Sequence, residues 1–155
     1  MSVSFFEGVL SNAVLSGTSI LYATVGEVIG ERSGIVNLGL EGVMLVGAVT
    51  GFVVTAESNN AYAGAVAAAI AGAVFNMLFA YLVIRRRGNQ LASGLALMFF
   101  ALGLTAIIGK PYVGKPIGGL KNLRIPILSN LPQVGHALFE KDLLVYFAIP
   151  VAASA

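Results

Sequence analysis

Four polar side chains stand inside otherwise apolar sequence, and they are where this chain could do chemistry: Glu27, Asn37, Glu41 and Asn76. An ionised carboxylate near the middle of a bilayer costs about 2.5–3.5 kcal/mol or more, so it persists only when something pairs with it or wets it. Asn37 precedes Glu41 by four positions, which on a helix turns both to one face. Gly34, Gly39 and Gly42 surround the pair, a density that points to a broken or closely packed helix. Backbone freed in this way is tolerated at membrane depth only inside protein or beside a cavity. Two readings follow. Asn37 and Glu41 flank a solute pathway, or they bond the backbone of the broken turn and its neighbours and so fix the fold. Glu27 has Glu31 and Arg32 close by, and can pair with charge or snorkel to the interface.

Asn76 belongs to a different pattern. Gly64, Ala68, Gly72, Asn76 and Ala80 recur four apart, and Gly47 and Gly51 share the GxxxG spacing. Helices in lipid associate by close packing, which small residues permit. These rows therefore predict helix-packing faces, with Asn76 an interhelical hydrogen-bond partner and a pore-lining role the alternative. No constellation suited to catalysis accompanies them. The sequence has one histidine, His136, and no cysteine, and it contains no HExxH, GxSxG or GxxxxGK[ST] pattern. The expectation is a chain that is not an enzyme and holds no cofactor or metal, so that any nucleotide hydrolysis belongs to a partner.

The elements that must position these residues are apolar. Hydrophobic residues make up 57% of the chain and charged residues 10%, with mean hydropathy +0.90. An ordinary soluble domain carries about 25% charged residues, so lipid must be the solvent for most of this chain. A net charge of +2 is too small to imply a nucleic-acid partner. Apolar stretches run over residues 9–29, 35–56, 61–84 and 91–109, and a fifth over 143–155 is still running at Ala155. About 20 residues cross the hydrocarbon layer, so the first four qualify as spans. At ~1.5 Å per residue the fifth reaches only about 20 Å, which predicts a fragment of a longer protein. The stretches do not alternate in polarity, so helices are expected and barrel strands are not. Met1–Leu10 carries no Lys or Arg, so the first stretch reads as mature protein and not as a secretory signal. The fold expected is all-α: a polytopic transmembrane helix bundle in one domain over 1–155.

The compact cluster Arg85, Arg86 and Arg87 closes the third span and predicts a cytoplasmic side for that loop. The segment 110–142 then lies outside the cytoplasm. It holds Pro111, Pro116, Pro126 and Pro132 with apolar residues threaded between them, which predicts an ordered external loop with a short strand near Arg124–Leu128.

The run GEVIGERSGIVNLGLEG from Gly26 to Gly42 resembles the N-terminal signature of the permeases of nucleoside and simple-sugar ABC importers. These belong to the wider family that includes ribose and branched-chain amino acid permeases. The matching positions are Gly26, Glu27, Glu31, Arg32, Gly34, Asn37, Gly39, Glu41 and Gly42. The blocks from Asn89 to Pro116 and from Ile125 to Tyr146 are similar to the family in the same order. The resemblance implies the N-terminal half of a type II importer permease in the inner (plasma) membrane, ending before the helix that couples to the ATPase. It implies a second permease subunit, a cytoplasmic ABC ATPase and an extracytoplasmic solute-binding protein as partners, and nucleosides or simple sugars as solutes. The alternatives are a branched-chain amino acid permease of the same wider family and a membrane assembly subunit with no pathway.

Overall fold

The computed structural model describes residues 2–119, 123–124, 140–141 and 143–154. Its elements are α1 (Ser2–Arg32), α2 (Leu40–Ser58), α3 (Ala61–Ala80) continued by a π-helical turn (Tyr81–Arg85), and α4 (Gln90–Gly109) continued by a 3₁₀ turn (Lys110–Tyr112). The strands β1 (Leu123–Arg124) and β2 (Glu140–Lys141) and the helix α5 (Leu143–Ser154) follow. Four helical stretches are long and apolar enough to cross a membrane: Gly8–Arg32, Leu40–Ser58, Ala61–Arg85 and Gln90–Tyr112. The described residues are thus all-α apart from one two-residue antiparallel ladder that pairs Leu123 with Lys141 and Arg124 with Glu140. The strand predicted over Arg124–Leu128 overlaps β1 only at Arg124, where β1 ends, and its remainder, with His136 and most of the 110–142 loop, lies outside the described residues.

The chain divides into two compact units. One holds α1 up to Ile29 together with the chain from Leu120 onward. Within it the Tyr22 hydroxyl donates to the Leu144 carbonyl at 2.7 Å, tying α1 to the first turn of α5.

The other unit, Gly30–Gly119, contains α2, α3 and α4. Asn59 ends α2 in the left-handed region at φ 52°, and Asn60 caps α3 by accepting from the Tyr62 and Ala63 amides at 3.0 and 3.3 Å. Two asparagines therefore make the whole turn, and α2 and α3 return against each other as a tight pair. Their seam is built from small residues. A methyl group on Gly51 would lie 3.1 Å from Ala68 Cβ and from the Gly64 carbonyl, and one on Gly47 3.3 Å from the Ala68 carbonyl. At Gly64 it would overlap Thr55 Oγ1 and come 2.7 Å from the Gly51 carbonyl. The Thr55 hydroxyl donates back to Gly51 O at 2.8 Å, so it needs no partner across the seam. Behind this seam Phe75, Phe79, Val83, Leu97 and Ala101 form the buried core shared by α3 and α4, and Phe75 stacks on Phe100 with ring centroids 6.3 Å apart. Tyr62, Val66, Ile70, Val74 and Met77 are exposed along the other side of α3, as a lipid-facing surface requires.

The row Gly64, Ala68, Gly72 is not uniformly tight. Gly72 has only ordinary contact with Val43, at 3.6 Å, while Gly64 has no room at all. Gly64→Ala should therefore lower the melting point of the detergent-solubilised protein by the equivalent of about 1–3 kcal/mol, and Gly72→Ala should leave it unchanged or raised. Equal melting of the two variants would show that the α2–α3 seam does not close at Gly64.

Candidate functional site

The candidate site is the connection between α1 and α2. After Arg32 the chain turns at Ser33–Gly34, with Gly34 N donating to Glu31 O at 2.8 Å and Ile35 N to Gly30 O at 3.3 Å. Gly34 adopts φ +81°, a conformation open to glycine and strained for other residues. Residues 35–39 are not helical, and α2 begins at Leu40. This corrects the expected start of the second span at Ile35. It also removes the expected shared helical face of Asn37 and Glu41, because Asn37 precedes the helix. The physical reason is local: Asn37 Oδ1 accepts from the Gly39 amide at 2.9 Å, and this Asx turn competes with helical hydrogen bonding.

Three amide side chains then satisfy the segment. The Gln90 Oε1, at the first residue of α4, accepts from Val36 N at 2.9 Å, and its Nε2 donates to the Gly34 carbonyl at 3.3 Å. Asn37 Nδ2 donates to Asn76 Oδ1 on α3 at 2.9 Å. Each side-chain amide is oriented by need, since an N–H must meet oxygen and a carbonyl must meet NH₂. Close backbone contact completes the joint. A methyl group on Gly39 would lie 2.8 Å from Gly94 O, and one on Gly94 would lie 2.9 Å from Gly39 N. A methyl group on Gly42 would meet Ala101 Cβ and Met98 Cα, each at 3.0 Å. The start of α2 is therefore pressed onto α4.

The joint lies deep in the apolar sequence. Nine helical positions separate Asn76 from Arg85, about 13 Å at 1.5 Å per residue. The non-helical segment that meets Asn76 thus sits well inside the apolar length of the third span. Asn37 is half-buried and Asn76 is exposed.

The other predicted residues fall into clear groups. Gly39 and Gly42 pack α2 on α4, and Gly47, Gly51, Gly64 and Ala68 pack α2 on α3. Gly34 differs from the expected helix-packing role: nothing lies within 4 Å of an added Cβ, and it serves as a turn. Glu41 is exposed on the first turn of α2 and, among the described residues, has neither a hydrogen bond nor an ion pair. The expectation that it bonds its own broken turn is corrected: Asn37 does that, and Glu41 sits where a carboxylate complements the helix dipole. Glu27 lies on α1 in the other unit. Gln90 and Gly94 escaped the sequence reading. A lone amide opening an apolar span directly after an Asn cap was the available signal.

The description that matches residues 9–151 is that of a branched-chain amino acid transport system permease component. The chain belongs to this permease family. It is 40% identical to a putative glucose ABC transporter permease protein of Haloferax volcanii, over 96% of the chain and 47% of that protein. It is 34% identical to the guanosine ABC transporter permease protein of Bacillus subtilis over 78% of the chain and 41% of that protein. A nucleoside ABC transporter permease protein of Lactococcus lactis is 28% identical over 97% of the chain and 51% of its own length. The permease chain spans about half the length of the curated relatives it matches. No solved structure matches it. With four helices long and apolar enough to cross a bilayer, it is a multi-pass membrane protein.

Gln90→Ala should leave the Val36 amide without its acceptor. Hydrogen exchange at Val36 should accelerate about five- to tenfold, in line with a net hydrogen bond of about 1 kcal/mol. Gln90→Glu, which keeps the acceptor but faces the Gly34 carbonyl, should fall between. Unchanged exchange at Val36 in Gln90→Ala would show that the side chain does not hold the segment.

Proposed function

We propose that this chain forms part of the membrane permease of an ABC importer for nucleosides or related simple sugars, and that the 33–39 segment contributes to the wall of the solute pathway. The observation that carries the pathway reading is the exposed Asn76 amide at membrane depth beside non-helical backbone. Lipid is a poor cover for such groups, and a water-filled cavity or another protein segment is a good one. The solute class follows from the relatives, whose names give glucose, guanosine and nucleosides. The family description favours a second reading, import of branched-chain amino acids. In the proposed transporter a second permease subunit completes the pathway, a cytoplasmic ABC ATPase supplies the energy, and an extracytoplasmic solute-binding protein delivers the solute. Chain 1–155 then acts as one permease domain embedded in the bilayer of the plasma membrane.

Uptake by the complete permease with its partners tests this directly. Labelled guanosine uptake should be inhibited by unlabelled nucleosides or simple sugars and not by leucine; inhibition by leucine alone would favour the second reading. Among the described residues the Glu41 side chain has no hydrogen-bond or ion-pair partner, so Glu41→Leu should lose only the dipole contribution of about 0.3–1 kcal/mol and keep near-parental abundance. Uptake per molecule should nevertheless fall, with Glu41→Gln milder. Normal uptake per molecule in Glu41→Leu would remove Glu41 from the pathway.

Orientation is part of the proposal, with the Arg85–Arg87 loop cytoplasmic. The native sequence has no cysteine, so single cysteines report cleanly. Ser33→Cys should be labelled from the cytoplasm and Ser58→Cys from outside. The reverse pattern would invert the topology.

A further inference from the structure

The end of α3 is built unlike the other helix ends. The helix widens to a π turn over Tyr81–Arg85, closed by Arg86 N donating to Tyr81 O at 3.2 Å. Arg87 then takes a left-handed conformation, φ 51°, which is unusual for a side chain of that size. Gly88 N donates to Leu82 O at 3.0 Å, and a methyl group on Gly88 would sit 3.0 Å from that oxygen and 3.1 Å from Ser93 Oγ. The chain thus reverses within four residues, and Arg85, Arg86 and Arg87 do not follow one helical face. All three side chains are exposed, and among the described residues none of the guanidiniums has a hydrogen-bond or ion-pair partner.

A groove of about 520 Å³ begins at the residue after Arg87. Its walls are Val36, Leu38 and Leu91 on the apolar side and Gly88, Asn89 and Gln90 on the polar side. Val36, Leu38 and Leu91 are all substantially exposed within it, as is Ile84 on the preceding turn. Three exposed arginines, with no hydrogen-bond or ion-pair partner among the described residues, thus immediately precede the first groove residue, Gly88, at the end of a helix long and apolar enough to cross a membrane.

We infer that the Arg85–Arg87 turn and the adjoining groove bind an anionic phospholipid, with the headgroup phosphate on the guanidiniums and the upper acyl chain along Val36, Leu38 and Leu91. Charge complementarity selects the occupant. A guanidinium presents a planar fork that meets phosphate oxygens two at a time, and its weak hydration lowers the cost of leaving water. The apolar half of the groove requires that the anion carry hydrocarbon, which free phosphate lacks. The bilayer already borders this helix end, so headgroups are present at high local concentration whatever else approaches. A bound lipid would also brace the 33–39 segment, because Val36 and Leu38 belong to it and Gln90 holds it. This inference needs membrane insertion only and stands whether or not the proposed solute is correct.

Native mass spectrometry of the full chain, released from nanodiscs of phosphatidylcholine alone or with a minority of phosphatidylglycerol, reads the site. Phosphatidylglycerol should be retained on the parent in preference to phosphatidylcholine, and should raise its melting point in nanodiscs. Replacing all three arginines by glutamine should weaken that retention by about a factor of five per guanidinium, on the order of a hundredfold in all. The melting point of the triple variant in phosphatidylcholine reports whether it is folded; if it is not, each single Arg→Gln variant should show its own fivefold loss. Raised salt should strip the lipid from the parent, since exposed charge is screened. Equal retention by parent and variant would overturn the proposal. So would a variant that keeps phosphatidylglycerol but no longer copurifies with a cytosolic protein partner, because the arginines would then form a protein docking surface.

Discussion

Non-helical backbone that enters the membrane-spanning length must find its hydrogen bonds inside the protein, and the Gly30–Gly119 unit is arranged around that requirement. The stretch is 33–39: the Ser33, Gly34 and Ile35 amides go to the turn at the end of α1, the Val36 amide and Gly34 carbonyl to Gln90, and the Gly39 amide to the Asn37 side chain. Gln90 works because a primary amide offers one acceptor and donors on the same plane, so a single side chain satisfies Val36 N and Gly34 O together. Neither an ionised carboxylate, which only accepts, nor an ammonium, which only donates, could do both.

The rest of the unit supplies the geometry this joint needs. Small residues let α2 approach α4 at Gly39–Gly94 and approach α3 at Gly51–Gly64, so the beginning of α2 is fixed from two sides. The two ends of the unit are also distinct. The Gly34 and Gln90 ends meet through hydrogen bonds, and at the opposite end the Tyr112 hydroxyl donates to Glu57 Oε1 at 2.9 Å, with Lys115 Nζ 4.5 Å from the Tyr112 ring centre. A hydroxyl–carboxylate bond at an exposed terminus is worth little in stability. Its use is to keep the end of α4 beside the end of α2 while the polar joint is held at the other end.

Much of this was legible in the residues. Length and hydropathy gave the helices, because nothing but a helix satisfies a backbone in lipid for 20 residues. Four-residue spacing of Gly64, Ala68 and Gly72 gave the α2-facing side of α3. The glycines around Asn37 gave a broken segment, though not its extent: Ile35–Leu38 is as apolar as the helix that follows, and hydropathy cannot register that Asn37 closes an Asx turn. For the same reason Glu41 looked like part of the broken turn, when its position on the first turn of α2 leaves it facing outward. Gln90 was hidden because a single amide beside Arg85–Arg87 reads as loop. Which glycine is tightest depends on where the partner helix crosses, and no spacing within one helix encodes that.

The central claim is that side-chain amides from α3 and α4 lock the start of α2 in place. The bond between Asn37 and Asn76 joins the segment before α2 to the α3 helix. A double-mutant cycle in thermal or denaturant unfolding of the membrane-extracted protein, using Asn37→Ala, Asn76→Ala and the pair, isolates that bond from the Asx turn that Asn37 also makes. The account predicts a favourable coupling of about 0.5–1.5 kcal/mol, the range for interhelical polar pairs in membranes. Additive effects, with no coupling, would contradict it.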